Sequence, residues 1–196
     1  MGGDRAAAER AVADFLAALG HPTSSDPELA ETPARVVEAY LGELLAGYDA
    51  DVDALLRGTA CKTAPDDDGP IVIRDIRCQT LCPHHLLPGM GVATVAYLPG
   101  RQLLGIGALA RLVEAYSRRL TLQEQVGRDV VTALMSKGQA RGAYCRLDMH
   151  HTCSSCRGAR QSAAVVTTEH SAGELAGPTA VRHLHHLLPR EGNPFR

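Results

Sequence analysis

Two short clusters of cysteine and histidine, about seventy residues apart, constrain this chain more than any other feature. The first is Cys82-Pro83-His84-His85. The second is His150-His151-Thr152-Cys153-Ser154-Ser155-Cys156-Arg157. Each follows a segment patterned as a β-strand, so each lies where a strand gives way to a loop. Thiolate and neutral imidazole are preferred donors for zinc. Cys82 and His85, three residues apart, can both reach one ion, and a third ligand from the distant cluster would tie two strand ends together. The spacing leaves two closures open. Three protein ligands plus water make a catalytic centre, whereas Cys82, His85, Cys153 and Cys156 together make a closed Cys₃His site in a non-catalytic zinc-binding module.

The pattern on either side of the clusters divides the chain. Residues 5–19 are Ala-rich with helical spacing, and Gly20 stops them. A second helix is expected with Thr32 as N-cap and Pro33 at its first position, ending near Gly47. Residues 65–70, polar, acidic and bounded by prolines, read as a linker between an N-terminal helical region (1–64) and the sheet-bearing remainder (71–196). Strands are expected at 71–77, 91–98, 142–151 and 162–168, with a short extended piece at 103–106. From Ala108 to Ser136 the apolar spacing is helical, in two helices broken near Arg119–Thr121. The class is therefore α+β: an antiparallel sheet with a helical pair inserted and a helical extension in front. With no Trp and two Phe, the core must be aliphatic. His183, His185 and His186 fall in an amphipathic segment ending at Pro189, as surface or subunit-contact residues, and 190–196 read as a loose end.

Composition excludes several classes of partner. A net charge of -2 attracts neither nucleic acid nor an anionic membrane. No apolar run reaches the length of a membrane span, and Asp4 and Glu9 interrupt any secretory signal. Six cysteines in such a chain read as thiols or ligands rather than a disulfide framework, which points to the cytoplasm.

At the two clusters the chain resembles the GTP cyclohydrolase I family. The family's Ser/Thr-x-Cys-Glu-His-His motif stands here as Thr80-Leu81-Cys82-Pro83-His84-His85. Its His-x-Cys-x-x-x-Arg-Gly motif stands as His151-Thr152-Cys153-Ser154-Ser155-Cys156-Arg157-Gly158. Glu31-Thr32-Pro33-x-Arg35-Val36, Val92 to Pro99, Leu109 to Val113 and Leu122-Gln123-Glu124 match in order. The resemblance implies a tunnelling fold (T-fold), whose subunits join sheets edge to edge into pentamers that stack as a homodecamer with active sites between subunits. It implies a zinc ion (Zn2+) held by Cys82, His85 and Cys153, which activates water for attack on C8 of the purine. A second hydrolysis then releases C8 as formate and gives 7,8-dihydroneopterin triphosphate, the entry to folate or pterin synthesis. His84 and His151 match the acid–base histidines, His151 protonating the purine's ring nitrogen. Glu124 matches the carboxylate that reads the guanine N1–H and amino group, with Gln123 beside it at the substrate. Arg111 and Arg157 match the phosphate-gripping arginines.

The chain also departs from the family pattern. Pro83 replaces a usual Glu, Val92 a common Lys, and Gln125 the Arg that follows the guanine-binding Glu. Gly107 and Ala108 replace a Ser-Lys pair at the phosphate end of the pocket. One charged contact to a bound anion contributes roughly 1.5–3 kcal/mol. The departures therefore frame an alternative: a specialised relative that takes another or less phosphorylated guanine nucleotide, or stops at a ring-opened product.

Overall fold

The computed structural model describes residues 3–57, 61–63 and 69–187. In chain order these form α1 (Arg5–Ala18), α2 (Thr32–Glu38), α3 (Val52–Arg57), β1 (Cys61–Thr63), β2 (Ile71–Leu81), β3 (Pro88–Leu98) and β4 (Gln102–Leu103). There follow α4 (Ile106–Ser117), α5 (Gln123–Ser136), β5 (Gly142–His151), α6 (Thr152–Ser155), β6 (Val166–Gly173) and α7 (Pro178–Leu187). Strands β2, β3, β5 and β6 pair in that order as one antiparallel sheet, and β1 pairs with β4 beside it. The helical pair α4–α5 enters between β4 and β5, the α+β arrangement expected from the pattern.

Period-two alternation decides which face the helices cover. Ala93, Val95 and Tyr97 of β3 and Ala143, Cys145, Leu147 and Met149 of β5 are buried in one core with Leu109, Leu112 and Val113 of α4 and Val126, Val130 and Leu134 of α5. Truncating a fully buried leucine in such a core costs about 2–5 kcal/mol. Val52 and Leu56 of α3 join the same core, so the N-terminal helices are packed onto the sheet domain. Burial pushes the Cys78 thiol up to about 12 and the Cys145 thiol up as well, which keeps both protonated and inert. On the opposite face Tyr144 and Ala96 pack against Leu184 of α7. His185 of α7 lies 3.0 Å from the Glu169 carboxylate of β6.

Local chemistry explains where elements begin and end differently from expectation. The Asp4 carboxylate caps α1 by accepting from the Ala7 amide, and Gly20 at φ +87° lets the chain turn away. The N-cap of α2 is Glu31, not Thr32. The Thr32 hydroxyl reaches back to the Glu28 carbonyl at 3.5 Å, so Thr32 is already helical and Pro33 follows it. After α2 the chain widens into a π-helical stretch, Ala39–Leu44, and then tightens into a 3₁₀ turn, Ala46–Asp49, in which Gly47 meets α4. A Cβ on Gly47 would lie 2.5 Å from the Ala115 carbonyl oxygen. Strand β2 runs four residues beyond Arg77 and β3 begins at Pro88, because the turn between them is tight. Strand β6 occupies 166–173 rather than 162–168, in register with Gly142–Met149. The expected linker lies mostly outside the described residues, which omit 64–68, and the expected loose end at 190–196 lies wholly outside them.

Gly91 sits on the interior strand β3, where a Cβ would come within 2.2 Å of the Asp148 carbonyl oxygen and 2.7 Å of the Met149 Cα. A side chain there must force β3 and β5 apart. Gly91→Ala is expected to lower stability by about 1–3 kcal/mol, read as a reduced midpoint in urea unfolding.

Candidate functional site

The hairpin between β2 and β3 builds half of the site. The Cys82 amide donates to the Leu87 carbonyl and the Leu86 amide to the Cys82 carbonyl, each at 2.9 Å, which closes the turn. Leu86 adopts φ +55°, a conformation uncommon for leucine, directly after His85. The other half arrives through strand register. Gly89 at the start of β3 pairs with Thr80 on one side and His151 on the other, so the end of β5 lies beside the hairpin. Helix α6 follows at once, held down by the Thr152 hydroxyl, which donates to the Pro88 carbonyl at 2.6 Å.

This convergence brings the ligand atoms of Cys82, His85 and Cys153 within 4.8 Å of one another. Cys82 Sγ and His85 Nδ1 are 3.7 Å apart. Tetrahedral zinc with ordinary Zn–S and Zn–N bonds sets such a pair about 3.6 Å apart, so the donors fit that ion in kind and spacing. Burial and the neighbouring Cys82 both push the Cys153 thiol up. A divalent cation would relieve that repulsion between adjacent sulfurs. Cys156 stands apart: exposed, it donates its thiol to the Thr152 carbonyl at 2.8 Å. Among the described residues the candidate cluster has three members, which leaves a tetrahedral ion one open position. His84 is exposed, with its ring edge-on to His85 at 6.2 Å.

The connection between α4 and α5 is laced onto the end of β2. The Leu81 amide donates to the Arg119 carbonyl and the Thr121 amide to the Leu81 carbonyl, both at 3.1 Å. The first residues of α5 are thereby set against the site. Gln123, expected beside Glu124 at the substrate, instead points into the fold and is 2% exposed. Its amide nitrogen lies 3.0 Å from the Leu147 carbonyl, 2.9 Å from the Val166 carbonyl and 3.1 Å from the Thr168 hydroxyl. Its amide oxygen lies 2.8 Å from His151 Nε2. Glu124 is exposed, and its charge favours the protonated form of His151. Burial outweighs that attraction and holds His151 below the usual histidine value. Arg157 is exposed and close enough to Cys153 to favour its thiolate.

Arg111 lies elsewhere. It lines a cleft of about 710 Å³ between α4, β2 and β3, shared with Arg77, Gln79 and Arg118. None of the candidate metal ligands, His151 or Glu124 is in its walls. The residues expected to act together thus form two groups within one chain.

Sequence reasoning missed Tyr40. It lies in the π-helical stretch, and its hydroxyl donates to the Leu86 carbonyl at 2.9 Å, holding the turn that carries His85. A π-helical insertion leaves no mark in residue spacing, although such insertions recur at functional sites. Three outcomes follow for zinc. Cys156→Ser should retain zinc at the wild-type level, and Cys153→Ser should lose it, as measured by metal analysis of the purified protein. Tyr40→Phe should weaken zinc binding about 10-fold in competition with a chelator, the usual scale for a group that supports a metal ligand.

The family model described as GTP cyclohydrolase I matches residues 8–192. A protein of Leifsonia xyli subsp. xyli named GTP cyclohydrolase 1 is 38% identical over 187 residues, covering 95% of this chain and 96% of that protein. One of the same name from Chromobacterium violaceum is 43% identical over 152 residues, covering 76% of this chain and 71% of that protein. A solved structure of an archaeosine synthase QueF-Like in the apo form aligns with 57% of this chain and 100% of that chain, at TM-score 0.45 and 14% identity.

Proposed function

This chain belongs to the GTP cyclohydrolase I family, and from that premise we propose that it is a zinc-dependent hydrolase that opens the guanine imidazole ring of GTP. Formate is released and 7,8-dihydroneopterin triphosphate is the product. The observation that carries this reading is the convergence of Cys82, His85 and Cys153 beside His151, with α5 presenting Glu124 at the same end of the sheet. When bound, zinc would supply water activated near neutral pH.

The side chains divide the remaining work. The Glu124 carboxylate accepts from the guanine N1–H and amino group, and adenine, which lacks that donor pair, would leave it unpaired. His151 and His84 move protons at the purine, which imidazole does well near neutral pH. Arg157, past the metal ligands, and Arg111 take the phosphates, for which guanidinium forks are suited. The separate location of Arg111 supports a homo-oligomer, pentamer or decamer, in which the Arg111 cleft of one subunit completes the site of the next. Unpaired thiols as ligands fit a reducing cytoplasm.

A second reading, a specialised relative acting on a less phosphorylated nucleotide or stopping early, rests on the start of α4. Ala108 is fully buried, and a Cβ on Gly107 would lie 3.2 Å from the Arg111 guanidinium. The first turn of α4 therefore offers neither the lysine nor the serine of the family pattern. Incubation of zinc-loaded protein with GTP separates the readings. Formate and a fluorescent pterin should appear in equal amounts. Formate without pterin, a ring-opened product without formate, or turnover of GDP or GMP in place of GTP would favour the specialised relative. No turnover of GTP, GDP or GMP by fully zinc-loaded protein would leave a non-catalytic zinc module.

A further inference from the structure

Gln123 is fully buried at the first position of α5, and its orientation is dictated by what surrounds it. The backbone carbonyls of Leu147 and Val166 lie 3.0 and 2.9 Å from its amide nitrogen. Carbonyl oxygens only accept, so the amide group cannot be reversed without setting oxygen against oxygen. The amide oxygen must then be the atom 2.8 Å from His151 Nε2, and an oxygen that only accepts requires a hydrogen on that nitrogen. On the other edge of the ring, Nδ1 faces Gly89, where a Cβ would come within 2.9 Å of it.

From this geometry we infer that Gln123 is a positioning residue: it holds His151 as the Nε2–H tautomer and leaves Nδ1 as the nitrogen that exchanges protons with substrate. The inference rests on the proposed function for the identity of that substrate, a guanine nucleotide, but the tautomer does not. A proton given to the purine leaves from Nδ1, and the ring that remains is the neutral form already matched to the glutamine oxygen. The absence of a side chain at Gly89 keeps the Nδ1 edge from being covered. Gln123 therefore differs in kind from Glu124, its neighbour in sequence: one faces the histidine from inside the fold and the other is exposed.

Two measurements test this. The first is solid-state 15N NMR of zinc-loaded protein labelled at histidine nitrogen, with the His151 signals identified by their loss in His151→Asn. A single Nε2–H tautomer at His151 is expected; the Nδ1–H form, or a mixture, overturns the inference. The second is the kinetics of Gln123→Met with zinc content verified as wild type. It should lose about 100-fold in kcat for formate release, with KM for GTP changed by less than about threefold. A raised KM with kcat retained would return Gln123 to the substrate pocket and overturn its positioning role, as would unchanged kinetics. Should the variant fail to fold, the wild-type spectrum decides alone. Failure of the wild-type protein to turn over GTP would overturn the proposed function, and the spectrum would still decide on Gln123.

Discussion

At Gly89 the backbone of β3 is flanked by Thr80 of β2 and His151 of β5, and the two cysteine–histidine clusters lie directly beyond those partners. This three-strand register is the constraint from which the rest of the site follows. A slip of one residue between β3 and β5 would exchange the two faces of β5. Leu147 and Met149 would leave the core and His151 would leave Gln123. Because one face of β5 is fully buried under α4 and α5, such a slip is opposed by the hydrophobic core, and the same burial holds the candidate metal ligands in position.

The core acts at a distance through the strap between α4 and α5. Leu81 exchanges backbone hydrogen bonds with Arg119 and Thr121, which joins the last residue of β2 to the approach of α5. The Arg119 side chain continues the tie. It donates to the Gly47 and Ala115 carbonyls and lies over the rings of Tyr48 and Tyr116 at 5.3 and 5.0 Å. Tyr40 adds a second connection from the N-terminal helices, to the turn that carries His85. The N-terminal region is thus more than an extension in front of the sheet. It contributes Val52 and Leu56 to the core and a hydroxyl to the candidate metal loop.

Much of this was legible from residue order. Alternation marked β2, β3 and β5, and the 3.6 period marked α4 and α5, because each of these packs a face against the core. Helix α1, none of whose residues is buried, was marked by its Ala-rich helical spacing alone, and β6, also without a buried residue, was expected four residues too early. Boundaries were less legible where polar residues are buried. Cys78 and Thr80 interrupt the apolar pattern of β2 yet pair with Gly91 and Gly89. The short helices α3 and α6 span six and four residues, too few for a period to show. Glu124 and Gln123 are adjacent in sequence, so pattern matching treats them alike. Only the packing of α5 on β5 and β6 turns one outward and seals the other in.

The sequence by itself determined the α+β class, the family, and the choice of Cys82, His85 and Cys153 as candidate ligands, because donor chemistry and motif order are properties of the chain. Tertiary structure alone decided that Cys156 faces away, that Gln123 lies behind His151, and that Arg111 borders a different cleft. Those distinctions depend on the direction of a side chain after the strands have paired and the helices have packed, and a linear spacing carries no direction.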